Sequence, residues 1–330
     1  MTVRRTEELH PNARGLDVQP PEKALRMLAE AQIEAANAVL DATDSIAAAA
    51  QIAAGTLRGG GRIVYAAAGS SGLMALADAL ELPGTFGIPR DRIVVLLAGG
   101  LAALSNLSGA PEDDAAQAMR DVKDAGLSAS DCLIAISASG STPYAVAALE
   151  QAKQLKAKTI SIANNPGTPL EVLADASIVL ATPPEIIAGS TRMGAGTAQK
   201  IALNMMSTLM AIHLGDVHDG YMVSLQADNQ KLRDRAARIV AAVSGGDRDT
   251  AGRWLEQASG SVKIAVLLAA GAEDQKAATD LLARHSQKLR PALSELARTA
   301  RRKRRSIWRE TPPRIRIGAK WQRRRKALRS

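Results

Sequence analysis

Cysteine and aromatic residues are scarce in this sequence of 330 residues. Cys132 is the one cysteine, so no disulfide can form within the chain, and a disulfide-stabilised secreted domain is excluded. The cysteine usage instead predicts a reducing compartment, the cytoplasm. Aromatic residues make up 2% of the chain against a hydrophobic content of 46%. The core is therefore expected to consist mainly of Ala, Leu, Ile and Val.

Long apolar runs and metal-binding patterns are also missing. The longest apolar run, residues 264–272, is too short to span a bilayer. The charged residues that follow Met1 have no apolar stretch behind them, so we expect neither a signal peptide nor a membrane segment. The histidines show no metal-ligand spacing with one another or with Cys132, and we predict no metal or other cofactor. These histidines are His10, His213, His218 and His285.

Positive charge is concentrated at the end of the chain. Residues 298–330 hold 15 Lys and Arg against one acid, Glu310, a net charge of +14, so residues 1–297 carry −5 of the overall +9. We expect this tail to be disordered or at best partly helical, and solvated, because it holds too little apolar sequence to build a core. The alternative is a nucleic-acid arm in which Trp308 and Trp321 stand among the arginines.

Five short apolar runs alternate with helical patterns. They are residues 62–68, 92–97, 132–137, 158–163 and 176–181. Near-continuous apolar strands separated by helices predict a doubly wound α/β fold with a five-stranded parallel sheet. We expect an N-terminal arm with helices over residues 1–58, the sheet domain and a following long helix over 59–233, a small helical domain over 234–297, and the tail over 298–330.

Two loops rich in glycine and hydroxyl groups each follow a predicted strand and open a helix. The first contains Ser70 and Ser71, and the second contains Ser139, Ser141 and Thr142. Helix N-termini and hydroxyls offer hydrogen-bond donors to an anion, and parallel strands bring such loops to the same edge of the sheet. This predicts a sugar-phosphate pocket. The alternative is that each loop is only a helix start, with Thr142 and Pro143 as an ordinary N-cap and N1 pair.

A third group of polar residues precedes the long apolar helix that we expect over residues 199–214. Ser190 and Thr191 add two hydroxyls, and the guanidinium of Arg192 could bind a phosphate or carboxylate. Thr168 and Glu171 form a capping-box pattern, which favours a structural role for Thr168.

Two glutamates are candidates for acid and base chemistry. Glu81 lies near the end of an apolar helix, where burial and the helix dipole would raise its pKa. Glu112 stands with Asp113 and Asp114 before a helix start, which would favour its ionised form. Different pKa values would suit one acid and one base. The alternative is that the three acids only complement a helix N-terminus.

Local sequence blocks resemble one protein family. The chain resembles the N-acetylmuramic acid 6-phosphate etherases, which are built on a sugar isomerase (SIS) domain, from Thr6 to about Leu293. The blocks that carry the resemblance are Thr6-Glu7 with Asn12 and Leu16-Asp17, Gly59 to Arg62, Ala68 to Gly72, Pro83 to Gly87, Leu97 to Gly100, Ala138 to Gly140, Thr142 to Tyr144, Ser190 to Met193, Ala195 to Lys200, and Asn229 with Lys231-Leu232.

The resemblance implies cleavage of the D-lactyl ether of N-acetylmuramic acid 6-phosphate, giving N-acetylglucosamine 6-phosphate and D-lactate, in a homodimer without metal or redox cofactor. It assigns Glu81 as the acid and Glu112 as the base. Polar residues usual in the family are replaced at four positions, by Leu73, Leu101, Gly194 and Ser224. A non-catalytic phosphosugar-binding regulator is therefore the second hypothesis, although the two retained glutamates favour the enzyme.

Overall fold

The computed structural model describes residues 5–227 and 229–310. Five parallel strands form one sheet in the order β2-β1-β3-β4-β5. The strands are β1 Ile63–Ala67, β2 Ile93–Leu97, β3 Cys132–Ser137, β4 Lys158–Ala163 and β5 Ala176–Val179. Each lies within its predicted run, so the predicted α/β fold class is confirmed.

Helices cover both faces of the sheet. They are α1 Pro21–Asn37, α2 Thr43–Arg58, α3 Gly69–Phe86, α4 Ala115–Asp124, α5 Pro143–Gln154, α6 Pro169–Leu173 and α7 Gly194–Leu214. Successive side chains of β1 pack against opposite helix layers. Ile63 and Tyr65 pack with α2, α3 and α7, whereas Val64 and Ala66 pack with α4 and α5. The long helix α7 begins five residues before its predicted start.

The strand order places a topological switch point between β1 and β3. The chain leaves β1 for β2 on one side and then crosses to β3 on the other. The loops after β1 and β3 therefore diverge and leave a crevice at the carboxyl edge, where ligands bind in such folds.

Two buried carboxylates connect the strands and helices of the sheet region. Asp78 of α3 accepts hydrogen bonds from the Tyr65 hydroxyl at 3.0 Å and from Asn204 and Ser207 of α7 at 2.9 Å each. Burial raises the pKa of Asp78, although these hydrogen bonds oppose the shift. At the opposite edge, Asp131 pairs with Arg62 at 2.9 Å and joins the starts of β1 and β3.

The C-terminal region is helical and has a core of its own. After a small antiparallel pair, β6 Val217–His218 with β7 Tyr221–Met222, five helices follow. They are α8 Gln230–Ser244, α9 Arg248–Gln257, α10 Val262–Ala269, α11 Gln275–Arg284 and α12 Leu289–Glu310. Four of them begin at side chains that cap a backbone N–H, namely Asn229, Asp247, Ser261 and Asp274. The proposed domain boundaries stay predictions.

The first residues of the tail are helical, which agrees with the partly helical alternative rather than with disorder. Helix α12 continues to Glu310, because Ala, Arg and Lys are good helix formers and the next proline is Pro312. Residues 311–330, with Trp321, lie outside the described residues. Over the ranges that the structure describes, no helix is both long enough and apolar enough to cross a membrane.

Candidate active site

A polar pocket of about 340 Å³ lies at the switch point. It collects the loops after β1 and β3, the loop that follows β2, the segment before α7, and the N-terminal arm. Its lining residues are Thr6, Glu7, Ala68, Gly69, Ser70, Ser71, Leu107, Glu112, Ser137, Ala138, Ser139, Thr142, Gly189 and Thr191. None of these described residues is Lys or Arg, so the donors that they offer to an anion are neutral.

The first loop presents the N-terminus of α3 to the pocket. The helix begins at Gly69, and its first N-terminal backbone bond runs from Gly72 N to the Ala68 carbonyl at 3.0 Å. The amides before Gly72 have no partner within the helix. The N-cap is Ala68, which has no side-chain acceptor to occupy these amides. The start of α3 therefore offers unpaired backbone N–H groups beside the hydroxyls of Ser70 and Ser71, which also line the pocket, a combination suited to a phosphate.

The second loop holds a network of hydroxyl groups. Ser137 Oγ lies 2.7 Å from Thr142 Oγ1 and 3.2 Å from Ser139 Oγ, and it accepts a hydrogen bond from the backbone N–H of Gly140 at 3.1 Å. Thr142 occupies the N-cap position of α5, but its side chain makes no capping bond. Its hydroxyl joins this network instead, which the ordinary N-cap interpretation does not account for.

Glu112 lies against the first loop. A Cβ on Gly69 would stand 2.6 Å from Glu112 Oε1. Glu112 belongs to a short 3-10 helix, Ala110–Asp113, and the N-cap of α4 is Asp114, which accepts from Gln117 N at 2.7 Å. The expectation that a helix N-terminus favours ionised Glu112 is therefore wrong. Burial and the charge of Asp113 raise the pKa of Glu112.

The remaining predicted binding residues divide into two groups. Ser70, Ser71, Ser139, Thr142 and Thr191 line the pocket together with Glu112. The other three residues do not line it. Ser141 donates to Ser139 Oγ at 3.4 Å and supports the network from outside. Ser190 is partly buried, and Arg192 is exposed.

The N-terminus of α7 is not open to a ligand. The buried carboxylate of Glu185 accepts hydrogen bonds from Gly194 N at 2.9 Å and Ala195 N at 2.8 Å. The chain therefore occupies this helix end with its own anion. The sequence signal at residues 190–192 did not reveal that cap.

Glu81 lies away from the pocket. Glu81 lies twelve positions after Gly69, and this distance along a helix is about 18 Å. Its side chain is exposed beside Leu80, which is 62% exposed. The expected burial of Glu81 is wrong for the single chain, because the helical period turns this position outward from the sheet.

The capping box predicted for Thr168 and Glu171 does not form, because neither of its two hydrogen bonds is present. Thr168 is the N-cap of α6, but its hydroxyl is buried without a partner among the described residues and lies against Gly140. Glu171 accepts from the backbone N–H of Gly167 at 2.5 Å, rather than from Thr168 itself. Thr168 lies outside the pocket lining, in keeping with a structural role.

The four departures from the family pattern also lie outside the lining. Leu101 is 85% exposed, Leu73 is partly buried in the second turn of α3, and Ser224 donates to Asp216 at 2.6 Å. A Cβ on Gly194 would stand 2.9 Å from Ala35 Cβ and 3.0 Å from Glu185 Oε2, so a lysine would not fit there without rearrangement. None of the four residues, as they stand in this chain, lines the pocket.

Sequence reasoning missed the contribution of the N-terminal arm. Thr6 and Glu7 line the pocket although some sixty residues separate them from the first loop. Their presence among the family blocks was the available signal. In the described part of the chain, no group of three or more His, Cys, Asp or Glu is placed to hold a metal ion.

Two family models match the chain. An SIS domain matches residues 113–214, and a glucokinase regulatory protein N-terminal SIS domain matches residues 45–153. Among solved structures, a phosphoheptose isomerase from Francisella tularensis is similar over 59% of this chain and 100% of its own, with 20% identity and a TM-score of 0.47.

Curated relatives match over most of the chain. An N-acetylmuramic acid 6-phosphate etherase of Deinococcus radiodurans is 44% identical over 84% of this chain and 92% of its own length. An N-acetylmuramic acid 6-phosphate etherase of Actinobacillus pleuropneumoniae serotype 5b is 36% identical over 87% of this chain and 95% of its own length. The chain therefore belongs to the N-acetylmuramic acid 6-phosphate etherase family.

Proposed function

We propose that this chain cleaves the D-lactyl ether of N-acetylmuramic acid 6-phosphate, giving N-acetylglucosamine 6-phosphate and D-lactate. The observation that carries the proposal is the position of Glu112 against Gly69, because it puts a carboxylate beside the loop best suited to phosphate. Membership of the etherase family supports the same activity. The two SIS models match a fold that enzymes and regulators share, so they do not favour a regulator.

Neutral donors bind the phosphate in this proposal. The amides at the start of α3 and the hydroxyls of Ser70, Ser71, Ser139 and Thr142 surround one end of the pocket. Each donates without adding a formal charge, and the dipole of α3 adds a partial positive charge at that end. The sugar then extends toward Glu112.

Glu112 acts as the base. In the ring-opened aldehyde the C2 proton is acidic, and an ionised carboxylate removes it while the C3–O bond to lactate breaks. Water then adds at C3 of the unsaturated aldehyde. A carboxylate whose pKa is raised by burial and by Asp113 is a stronger base than an ordinary glutamate, provided that it stays ionised at working pH.

Glu81 acts as the acid that protonates the departing ether oxygen, and it reaches the pocket from a second copy of the chain. Within one chain, about 18 Å of helix separates Glu81 from the loop that Glu112 contacts, which is farther than a glutamate side chain extends. Glu81 is exposed on α3 beside exposed Leu80. A groove between α2 and α7, lined by Ile46, Ile201, Met205 and other residues, is also apolar. A homodimer would cover such surfaces.

The cytoplasm is the proposed compartment. Cys132 is buried in β3, and burial raises the pKa of its thiol to about 12. The lone cysteine is therefore an unreactive core residue, in keeping with a protein that uses no disulfide.

The test is D-lactate release from N-acetylmuramic acid 6-phosphate by the wild type, Glu81→Gln and Glu112→Gln. We expect release by the wild type and a loss of at least about 100-fold in each variant. Dissociating and reassociating a mixture of the two variants should restore about a quarter of wild-type activity, because half of the dimers would then be mixed, each with one intact site. No recovery would contradict the shared site, and no release by the wild type would contradict the proposed reaction.

A further inference from the structure

The N-terminal arm is fixed to the pocket by one buried residue. Thr6 is 1% exposed. Its hydroxyl accepts a hydrogen bond from Asn165 Nδ2 at 3.2 Å, and its carbonyl accepts from Gly189 N at 3.0 Å. Asn165 Nδ2 also donates to the Ala138 carbonyl at 2.9 Å. Thr6 thereby connects the arm to the loops after β3 and β4 and to the segment before α7.

This anchor determines where the next side chain lies. Glu7 lines the same pocket as Glu112, and its Oε2 would lie 3.1 Å from a Cβ on Gly189. No side chain or backbone amide of the described residues donates a hydrogen bond to the Glu7 carboxylate. Apart from Glu112, Glu7 is the only carboxylate among the described residues that line the pocket.

A carboxylate in this position favours a ligand that places hydrogen-bond donors beside it. An ionised carboxylate only accepts hydrogen bonds and repels a phosphate, so Glu7 cannot contribute to the phosphate end of the site. A sugar phosphate carries donors only on its sugar, as hydroxyl groups and, in an N-acetylated sugar, an amide N–H.

We propose that Glu7 is a substrate-binding residue that accepts hydrogen bonds from the hydroxyl or amide N–H donors of the sugar and orients it between the phosphate loops and Glu112. The inference rests on the proposed function in taking a sugar phosphate as the ligand. It assigns the N-terminal arm a direct part in recognition.

The test compares two ligands by calorimetry, N-acetylglucosamine 6-phosphate and inorganic phosphate. Glu7→Ala should weaken binding of the sugar phosphate by about 10- to 100-fold, because it removes a charged hydrogen bond. Binding of inorganic phosphate should be unchanged or slightly tighter, because the variant also removes a negative charge from the pocket. Glu8→Ala is the matched control, since Glu8 is exposed on the same arm but does not line the pocket. It should leave both affinities unchanged.

Three outcomes would overturn the inference. Equal weakening of both ligands would make Glu7 structural, and unchanged sugar phosphate binding would remove its role altogether. A wild type that binds the sugar phosphate no more tightly than inorganic phosphate would show that the pocket makes no sugar contact. These measurements do not depend on turnover, so they distinguish failure of the Glu7 assignment from failure of the etherase proposal. In the kinetic assay we expect KM to rise for Glu7→Ala, and a loss confined to kcat would indicate proton transfer instead.

Discussion

Glu112 lies against Gly69 of the first loop, and Gly69→Ala tests whether this contact positions the proposed base. The backbone there has φ +53°, in the left-handed region that glycine adopts without strain. A Cβ would in addition stand 2.6 Å from Glu112 Oε1. The atom that must move is the end of a flexible side chain. We therefore expect the clash to be relieved by displacing the carboxylate rather than the fold.

The expected loss of stability is small and the expected loss of activity is large. An L residue in the left-handed region costs about 1–2 kcal/mol, and the reduced entropy of the unfolded chain offsets about 0.5 kcal/mol of this. The free energy of unfolding should fall by about 1 kcal/mol. A displacement of the base by about 1 Å is enough to lower kcat/KM by about 100-fold.

Gly126→Ala is the matched control. Gly126 has φ +60° and no atom within 4 Å of the position that a Cβ would take, so it has the same backbone strain without the contact to Glu112. Urea unfolding should give similar losses of stability for both variants, whereas D-lactate release should fall only in Gly69→Ala. Equal activity in the two variants would refute the reasoning, since it would show that the loop does not position Glu112.

Three further predictions concern groups around the sheet. Asp113→Asn should lower the pKa of Glu112, and because the base must be ionised, the acidic limb of kcat/KM should move to lower pH; an unmoved limb would contradict this. In urea unfolding at neutral pH, Asp131→Ala should lower the free energy of unfolding by about 3 kcal/mol. The variant leaves the partly buried donors of Arg62 and Ser128 without their acceptor. Gly194→Ala should lower the free energy of unfolding in urea by about 1–3 kcal/mol through overpacking. Gly252→Ala, which has open space in α9, should raise it by up to about 1 kcal/mol. A change of the same sign in both variants would contradict the packing argument.

The sheet could be predicted from the sequence because each strand is a local signal. Residues 132–137 and 158–163 were bounded correctly to the residue, since β-branched runs buried on both faces end sharply at polar or glycine-rich loops. The position of the two hydroxyl loops then followed from topology, because parallel strands end at one edge. The local signals at Ser70 and Thr142 were sufficient to place both residues at the pocket.

Features that depend on distant parts of the chain could not be predicted from local sequence signals. Glu185 lies nine residues before Gly194, and nothing in the spacing shows that its carboxylate folds back onto the start of α7. The raised pKa of Glu112 depends on burial beside Gly69, which is more than forty residues earlier. The apolar neighbours of Glu81 indicated burial, but the helical period turns the side chain outward and exposes it. The sequence also does not show that, in the proposed function, Glu81 acts from a second copy of the chain.

No lysine or arginine lines the pocket among the residues that the structure describes, and this fits the proposed chemistry. The phosphate is present in both the substrate and the product, so binding it strongly would hold both equally and would not accelerate the reaction. In the proposed site, backbone amides and hydroxyls bind the phosphate with fixed geometry and no formal charge, which orients the sugar with less product binding than a lysine or arginine would give. Cations beside Glu112 would also lower its pKa and weaken it as a base. In the proposed mechanism, a pocket of neutral donors therefore holds the sugar by its phosphate and leaves Glu112 basic enough to remove the C2 proton.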